Sequence, residues 1–231
     1  MPLQKPSRRH GPPYNPNVRE LVAEKRRWSV PVPPEATRVG FQGWHERGYL
    51  PHRDAPGLVQ FVTFRLADAF PAALRSEWAG QLAVTDGRER RRQFEAYLDR
   101  SRGEALLRRV EVGGLVDRAL RFYHGEQFEL RAWVVMPNHV HALVRVESMS
   151  LGRIIADLKR YTAREANRLL DRHGSFWAPD YWDTYVRDAE HERRVRRYIE
   201  NNPTKAFLVR DPKEWRWSSA RYRNRVGELV L

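Results

Sequence analysis

Two runs rich in apolar, β-branched and aromatic residues, 128–136 and 139–146, stand on either side of Pro137-Asn138. This pattern predicts two strands joined by a turn, and the rest of the chain must pack around that pair. The second run carries two histidines, in Met136-Pro137-Asn138-His139-Val140-His141-Ala142-Leu143-Val144. Strand side chains alternate between faces, so His139 and His141 share one face while Val140 and Ala142 turn to the core. Two such imidazoles, about 7 Å apart along the strand, can converge on a single metal ion. The alternative is one satisfied core histidine and one at the surface.

Around this pair the chain reads as an α+β domain. Residues 58–66, Leu-Val-Gln-Phe-Val-Thr-Phe-Arg-Leu, predict a strand. Residues 71–84 and 88–100 predict helices interrupted by Thr85-Asp86-Gly87, and 115–124 predict another. Ser150 is placed to cap a helix that runs to about Arg172 and closes at Gly174. Residues 181–187 predict a fourth strand. A last helix starts at Asp188 or Ala189 and ends near Asn201-Asn202-Pro203, because proline restricts the residue before it. The order is βαββαβ, the ferredoxin-like arrangement with an antiparallel sheet. Residues 1–42 form a basic, proline-rich N-terminal arm, 43–210 the main domain, and 211–231 a tail, with a helical extension at the C-terminal end. No Gly-rich phosphate loop is present, which argues against ATP or GTP hydrolysis.

Forty-two Lys and Arg against 29 Asp and Glu leave a formal net charge of +13 in 231 residues. Such an excess calls for an anionic partner, and nucleic acid is the default. No apolar run approaches the roughly 18 residues of a spanning helix, and no apolar segment follows Arg8-Arg9 as in a secretory signal. The absence of cysteine excludes disulfides, thiolate metal sites and thiol nucleophiles. These features lead us to expect a cytoplasmic, nucleoid-associated protein with no membrane partner. Its monomeric or homodimeric state is open.

The helix after the histidines is amphipathic. At about 100° per residue, Leu151, Ile155, Leu158, Thr162, Ala166 and Leu169 form an apolar stripe. Tyr161 falls at its border, and Glu165 follows one turn later. Arg153, Arg160, Arg164 and Arg168 form a basic row on the other flank. Alone, this is a core helix with a boundary tyrosine and a solvated arginine face. Combined with the histidines, it describes metal-assisted attack on a phosphodiester. The imidazoles and a third ligand hold a divalent ion, arginines hold flanking phosphates, and the phenol is the nucleophile. Arg187, Arg193, Arg194, Arg196 and Arg197 add charge around the last helix, partly offset by Glu190, Glu192 and Glu200. Trp177, Tyr181, Trp182 and Tyr185 either stack unpaired bases or pack in the core. His45, His52, His124 and His173 have no comparable pairing and read as structural.

Val134-Val135-Met136-Pro137-Asn138 followed by His139-Val140-His141 resembles the HUH motif of single-tyrosine transposases, most nearly the REP-associated tyrosine transposases. Leu158-Lys159-Arg160-Tyr161-Thr162-Ala163 resembles that family's tyrosine-bearing helix. Phe176-Trp177, Tyr185-Val186-Arg187-Asp188, Tyr198-Ile199-Glu200-Asn201-Asn202-Pro203 and Trp217-Ser218-Ser219 resemble its C-terminal signature, and Gly48-Tyr49-Leu50-Pro51-His52 and Thr63-Phe64-Arg65-Leu66 its N-terminal part. The resemblance spans roughly residues 43–223. It implies a ferredoxin-like domain that cleaves single-stranded DNA beside hairpins through a 5′-phosphotyrosine, assisted by Mg²⁺ or Mn²⁺. On that match His139 and His141 are metal ligands, Tyr161 is the nucleophile and Glu165 the candidate third ligand. Glutamate is a departure here, because relatives often place glutamine or another polar residue one turn after the tyrosine. The competing readings are a hairpin-binding protein without chemistry and a metal-dependent RNA-processing enzyme.

Overall fold

The computed structural model describes residues 32–47, 50–69, 93, 96–98 and 103–231. The helix expected over 71–84, most of that over 88–100, and arm residues 1–31 lie outside the described residues. The described elements are α1 (Pro34–Arg38), β1 (Gly43–Arg47), β2 (Leu50–Asp54), β3 (Val59–Leu66), α2 (Val110–Phe122), β4 (Phe128–Val135), β5 (His139–Val146), α3 (Leu151–Leu169), β6 (Trp177–Tyr185) and α4 (Ala189–Lys205). The main sheet has the order β4-β5-β3-β6, antiparallel throughout. With α2 and α3 as the crossovers, this is the ferredoxin-like arrangement expected from the sequence.

The β4–β5 hairpin forms where the apolar runs predict it. Val135 pairs with Val140, and the Met136 N–H closes the turn on the His139 carbonyl at 2.8 Å. Pro137 falls in the turn, where its missing donor costs no ladder bond.

Each sheet face has its own cover. Crossovers between parallel strands are right-handed, so α2 and α3 both lie on the first face. There Leu151, Ile154, Ile155, Leu158 and Ala166 of α3 pack with Val140, Ala142 and Val144. Helix α4 follows the last strand and covers the second face, where Val195 and Ile199 meet Phe61, Ala132, Val134, Met136 and Leu143.

Several boundaries differ from expectation. Helix α2 begins at Val110 rather than 115 and carries Gly113 inside it, where a Cβ would stand 2.5 Å from the Leu107 carbonyl oxygen and 2.9 Å from the Trp217 ring. Close packing of a neighbouring loop and an indole therefore requires glycine there. Strand β6 spans Trp177–Tyr185 rather than 181–187. It includes Pro179 because β6 is an edge strand. Helix α3 ends at Leu169, and Ser150 occupies its N-cap without a side-chain capping bond. Helix α4 runs through Pro203 to Lys205. Proline in the last turn removes one intrahelical bond, and the Ala206 N–H still reaches the Asn202 carbonyl at 3.0 Å.

The β1–β2 hairpin is tied to β6 by a His52–Asp183 pair, with Gln60 Nε2 donating to the Arg53 carbonyl at 2.9 Å and to Asp183 at 3.3 Å. At the other edge, the Val135 N–H donates to the Trp217 carbonyl at 2.9 Å. Trp217, Ser218, Ser219 and Ala220, in the stretch read as a tail, are buried against β4. Among the described residues, no helix is long and apolar enough to cross a membrane.

Candidate active site

His139 and His141 project from interior strand β5 toward the face covered by α4. Both are fully buried, and their Nε2 atoms lie 3.1 Å apart. Two ligands at 2.0–2.1 Å and right angles around one ion are separated by about 3.0 Å, so the pair already has the spacing of adjacent ligands on one cation. The opposite ring nitrogens are anchored. His139 Nδ1 lies 2.7 Å from Asn138 Oδ1, and His141 Nδ1 lies 2.8 Å from Thr63 Oγ1 on the strand directly opposite. Burial holds the His139 pKa down to about 3, so its imidazole is neutral and able to offer a lone pair at physiological pH.

Tyr198 of α4 packs against His141. Its ring centroid is 5.5 Å from that of His141 and 5.9 Å from that of Phe61, and its hydroxyl is buried. The Lys205 ammonium stands 4.5 Å from the centre of the Tyr198 ring. Asn202 lies one helical turn beyond Tyr198, on the stripe that buries Val195 and Ile199. It is fully buried, and neither its Oδ1 nor its Nδ2 has a hydrogen-bond partner among the described residues. A buried carboxamide without partners is costly, so a ligand for its oxygen would remove a penalty. Arg65 sits opposite His139 on β3 and on the same side of the sheet.

The structure does not bring Tyr161 and Glu165 to the histidines. Both lie on α3, whose apolar stripe packs against the Val140–Ala142 face, so the sheet separates them from the imidazoles. Tyr161 is exposed, with the Arg164 guanidinium 5.7 Å from its ring centre. Glu165 accepts from Arg164 at 2.9 Å and Arg168 at 3.2 Å, and these hydrogen bonds hold its pKa below the usual value. The sequence assignment of Glu165 as a ligand beside His139 and His141 is thus corrected: its partners are arginines. Among the described residues, no third His, Asp or Glu joins the pair.

The arginines divide between two helices on opposite faces. On α3, Arg160 is paired with Asp157 at 2.7 Å, while Arg164 and Arg168 share Glu165 and Arg153 is exposed. On α4, which bears Tyr198, Arg193 and Arg194 pair with Glu190, and Arg197 is exposed without an acidic partner among the described residues. Arg187 is exposed just before that helix. Sequence reasoning missed Tyr198, Asn202, Lys205 and Thr63 as parts of this site. One available signal was Asn202, a lone carboxamide at i+4 from a tyrosine on an otherwise apolar stripe.

Residues 117–202, from α2 to Asn202, match the family described as transposase, IS200-like. The resemblance stated from the sequence therefore holds over the stretch that contains both histidines and both candidate tyrosines. A REP-associated tyrosine transposase bound to a REP hairpin is similar at 17% identity and a TM-score of 0.45, covering 82% of this chain and 99% of that one. A Deinococcus radiodurans R1 protein assigned as a transposase has 17% identity and a TM-score of 0.34, covering 68% of this chain and 96% of that one. No curated protein matches the chain.

Proposed function

We propose that this protein is a metal-dependent endonuclease and strand transferase for single-stranded hairpin DNA, acting in DNA transposition with Tyr198 as its nucleophile. One observation carries the reading: the Tyr198 ring lies 5.5 Å from His141, whose Nε2 is 3.1 Å from that of His139. Tyr161, the tyrosine favoured by the sequence, is on the far side of the sheet.

His139, His141 and Asn202 would hold Mg²⁺ or Mn²⁺, the neutral imidazoles offering nitrogen and the carboxamide an oxygen suited to a hard cation. A bound ion of this kind polarises the scissile phosphate. The Tyr198 oxygen attacks phosphorus and its proton passes to solvent. The P–O3′ bond breaks, and the departing 3′-oxygen takes up a proton. The phosphotyrosine is an ester of similar energy to the bond it replaces, so the 3′-hydroxyl can attack back and rejoin strands without a nucleotide cofactor. Lys205 and Arg65 supply positive charge near the reacting phosphate, and Arg187, Arg193, Arg194 and Arg197 grip the flanking strand. The row Arg153, Arg160, Arg164 and Arg168 faces away from the site and adds at most a remote backbone contact.

The test is incubation of purified protein with Mn²⁺ and end-labelled hairpin strands, read on denaturing gels. Wild type and Tyr161→Phe should both form a denaturation-resistant adduct, while Tyr198→Phe and His141→Ala should bind DNA and form none. No wild-type adduct with any hairpin or divalent metal would leave a DNA-hairpin-binding protein without chemistry.

A further inference from the structure

Helix α4 closes with a backbone motif that turns one aromatic ring outward. The Leu208 N–H donates to the Pro203 carbonyl at 2.9 Å, and the Phe207 N–H to the Thr204 carbonyl at 3.1 Å. This pair of bonds is the Schellman closure, whose first residue past the cap is left-handed and usually glycine. Here that residue is Phe207, at φ 55°. Helix α3 closes in the same way on Asp171, a residue type enriched in this region, whereas a bulky aromatic is an outlier there. Ala206 and Leu208, on either side, pack against the second core, and Phe207 is left 95% exposed. Its ring therefore buries almost no apolar area to offset the strain, and folding does not account for it.

Phe207 stands at the end of the helix that carries Tyr198. It is two residues past Lys205, whose ammonium reaches the Tyr198 ring, so the two α-carbons are within about 7 Å. Lys205, Arg210 and Lys213 are all exposed in this stretch. The acids among them are turned to backbone amides. Asp211 accepts from the Lys213 N–H at 2.8 Å, and Glu214 from those of Arg210 and Asp211 at 3.1 and 3.3 Å. A protein or lipid surface would call for a contiguous apolar patch, but the exposed residues nearest Phe207 in sequence, Lys205 and Arg210, are cations. An aromatic ring among cations matches a chain with an anionic backbone and flat, apolar faces on its side groups. Unpaired nucleic acid has that chemistry.

We propose that Phe207 is a stacking platform for an unpaired base of the bound strand, with Lys205, Arg210 and Lys213 along the adjacent phosphates. This rests on the single-stranded DNA reading above. Every base has a π-face, so the platform adds affinity for unpaired nucleotides without choosing among sequences. Its outward, left-handed setting keeps the ring clear of the core and presented to the strand before binding.

The test measures binding of the full chain to a DNA hairpin with single-stranded thymidine tails, and to the same hairpin with abasic tails. Wild type should prefer the thymidine tails. Phe207→Gly suits the left-handed backbone, so the fold is kept while the ring is lost. It should weaken binding to the thymidine tails by about 5–150-fold and leave binding to the abasic tails unchanged. The log–log salt slope should stay at the wild-type value, because no phosphate contact is lost, and Phe207→Trp should bind as wild type does. Wild-type affinity for thymidine tails in Phe207→Gly, or an equal loss on both tails, overturns the platform and leaves the DNA reading standing. A self-association in wild type that Phe207→Gly abolishes, with DNA binding intact, would assign the ring to a second copy and also overturn it. Failure of wild type to bind either hairpin overturns both.

Discussion

Replacing Asn202 with leucine should make the metal-free protein more stable and its metal-loaded form no better. The Asn202 side chain is fully buried with both polar atoms unpartnered among the described residues. Each such group costs about 1–3 kcal/mol, so the pair costs at least about 2 kcal/mol. Leucine has the same branching and removes both penalties, at a packing cost of about 1 kcal/mol for its larger methyl groups. The net gain is at least about 1 kcal/mol. At about 2–4 °C per kcal/mol for a chain of this size, melting should rise by at least roughly 2–4 °C in the presence of a chelator. Wild type should gain about 2.7 kcal/mol when Mn²⁺ is present at one hundred times its Kd, and Asn202→Leu should gain far less at the same concentration. Thermal unfolding with chelator and with Mn²⁺ measures all four states. A variant that melts below wild type in chelator would mean the carboxamide is well hydrogen-bonded, and an equal Mn²⁺ shift would remove Asn202 from the ligand set.

Three further outcomes follow from the same structure. Burial pushes the Asp54 carboxyl up to about 6, with Asp183 nearby adding to the effect. A folded pKa above the unfolded one favours the protonated native state, so this stability is present below about pH 4 and lost as pH rises through 6. After allowance for solvent screening, Asp54→Asn should gain about 1–2 kcal/mol over wild type at pH 8 and nothing at pH 4, and a constant difference in urea midpoints across that range would contradict the assignment. Phe207 is 95% exposed and held at φ 55°, so Phe207→Gly should stabilise by about 1 kcal/mol through relief of left-handed strain; a loss in chemical denaturation would contradict this. Neutralising Arg197 or Lys205 should flatten the log–log salt dependence of single-strand binding by about 0.7 each, while Arg164→Gln and Arg168→Gln leave it unaltered; the reverse result would place the DNA on α3.

The strand order and the shared face of His139 and His141 were legible because alternation has a period of two and needs no tertiary information. The placement of the two tyrosines relative to the histidines was partly legible. A helix that joins β5 to β6 must lie on the same face as α2, and its apolar stripe must meet the side of β5 that bears Val140 and Ala142. The same alternation turns His139 and His141 away from Tyr161. The helix after the last strand was free to take the other face, which brings Tyr198 to His141. Glu165 beside an apolar stripe looked like a group in need of a partner, and it has two, the arginines at 164 and 168. Thr63 lay beyond local pattern. Its meeting with His141 depends on the β3–β5 register across 78 residues of sequence.

On the proposed mechanism the DNA-bonding oxygen belongs to α4 and not α3. Wild-type protein is trapped on a hairpin strand with Mn²⁺, digested with trypsin and nuclease, and the nucleotide-bearing peptide is sequenced by tandem mass spectrometry. The 5′-phosphate is expected on Tyr198, in the peptide ending at Lys205. A phosphate on Tyr161, or an undiminished adduct in Tyr198→Phe, would contradict it.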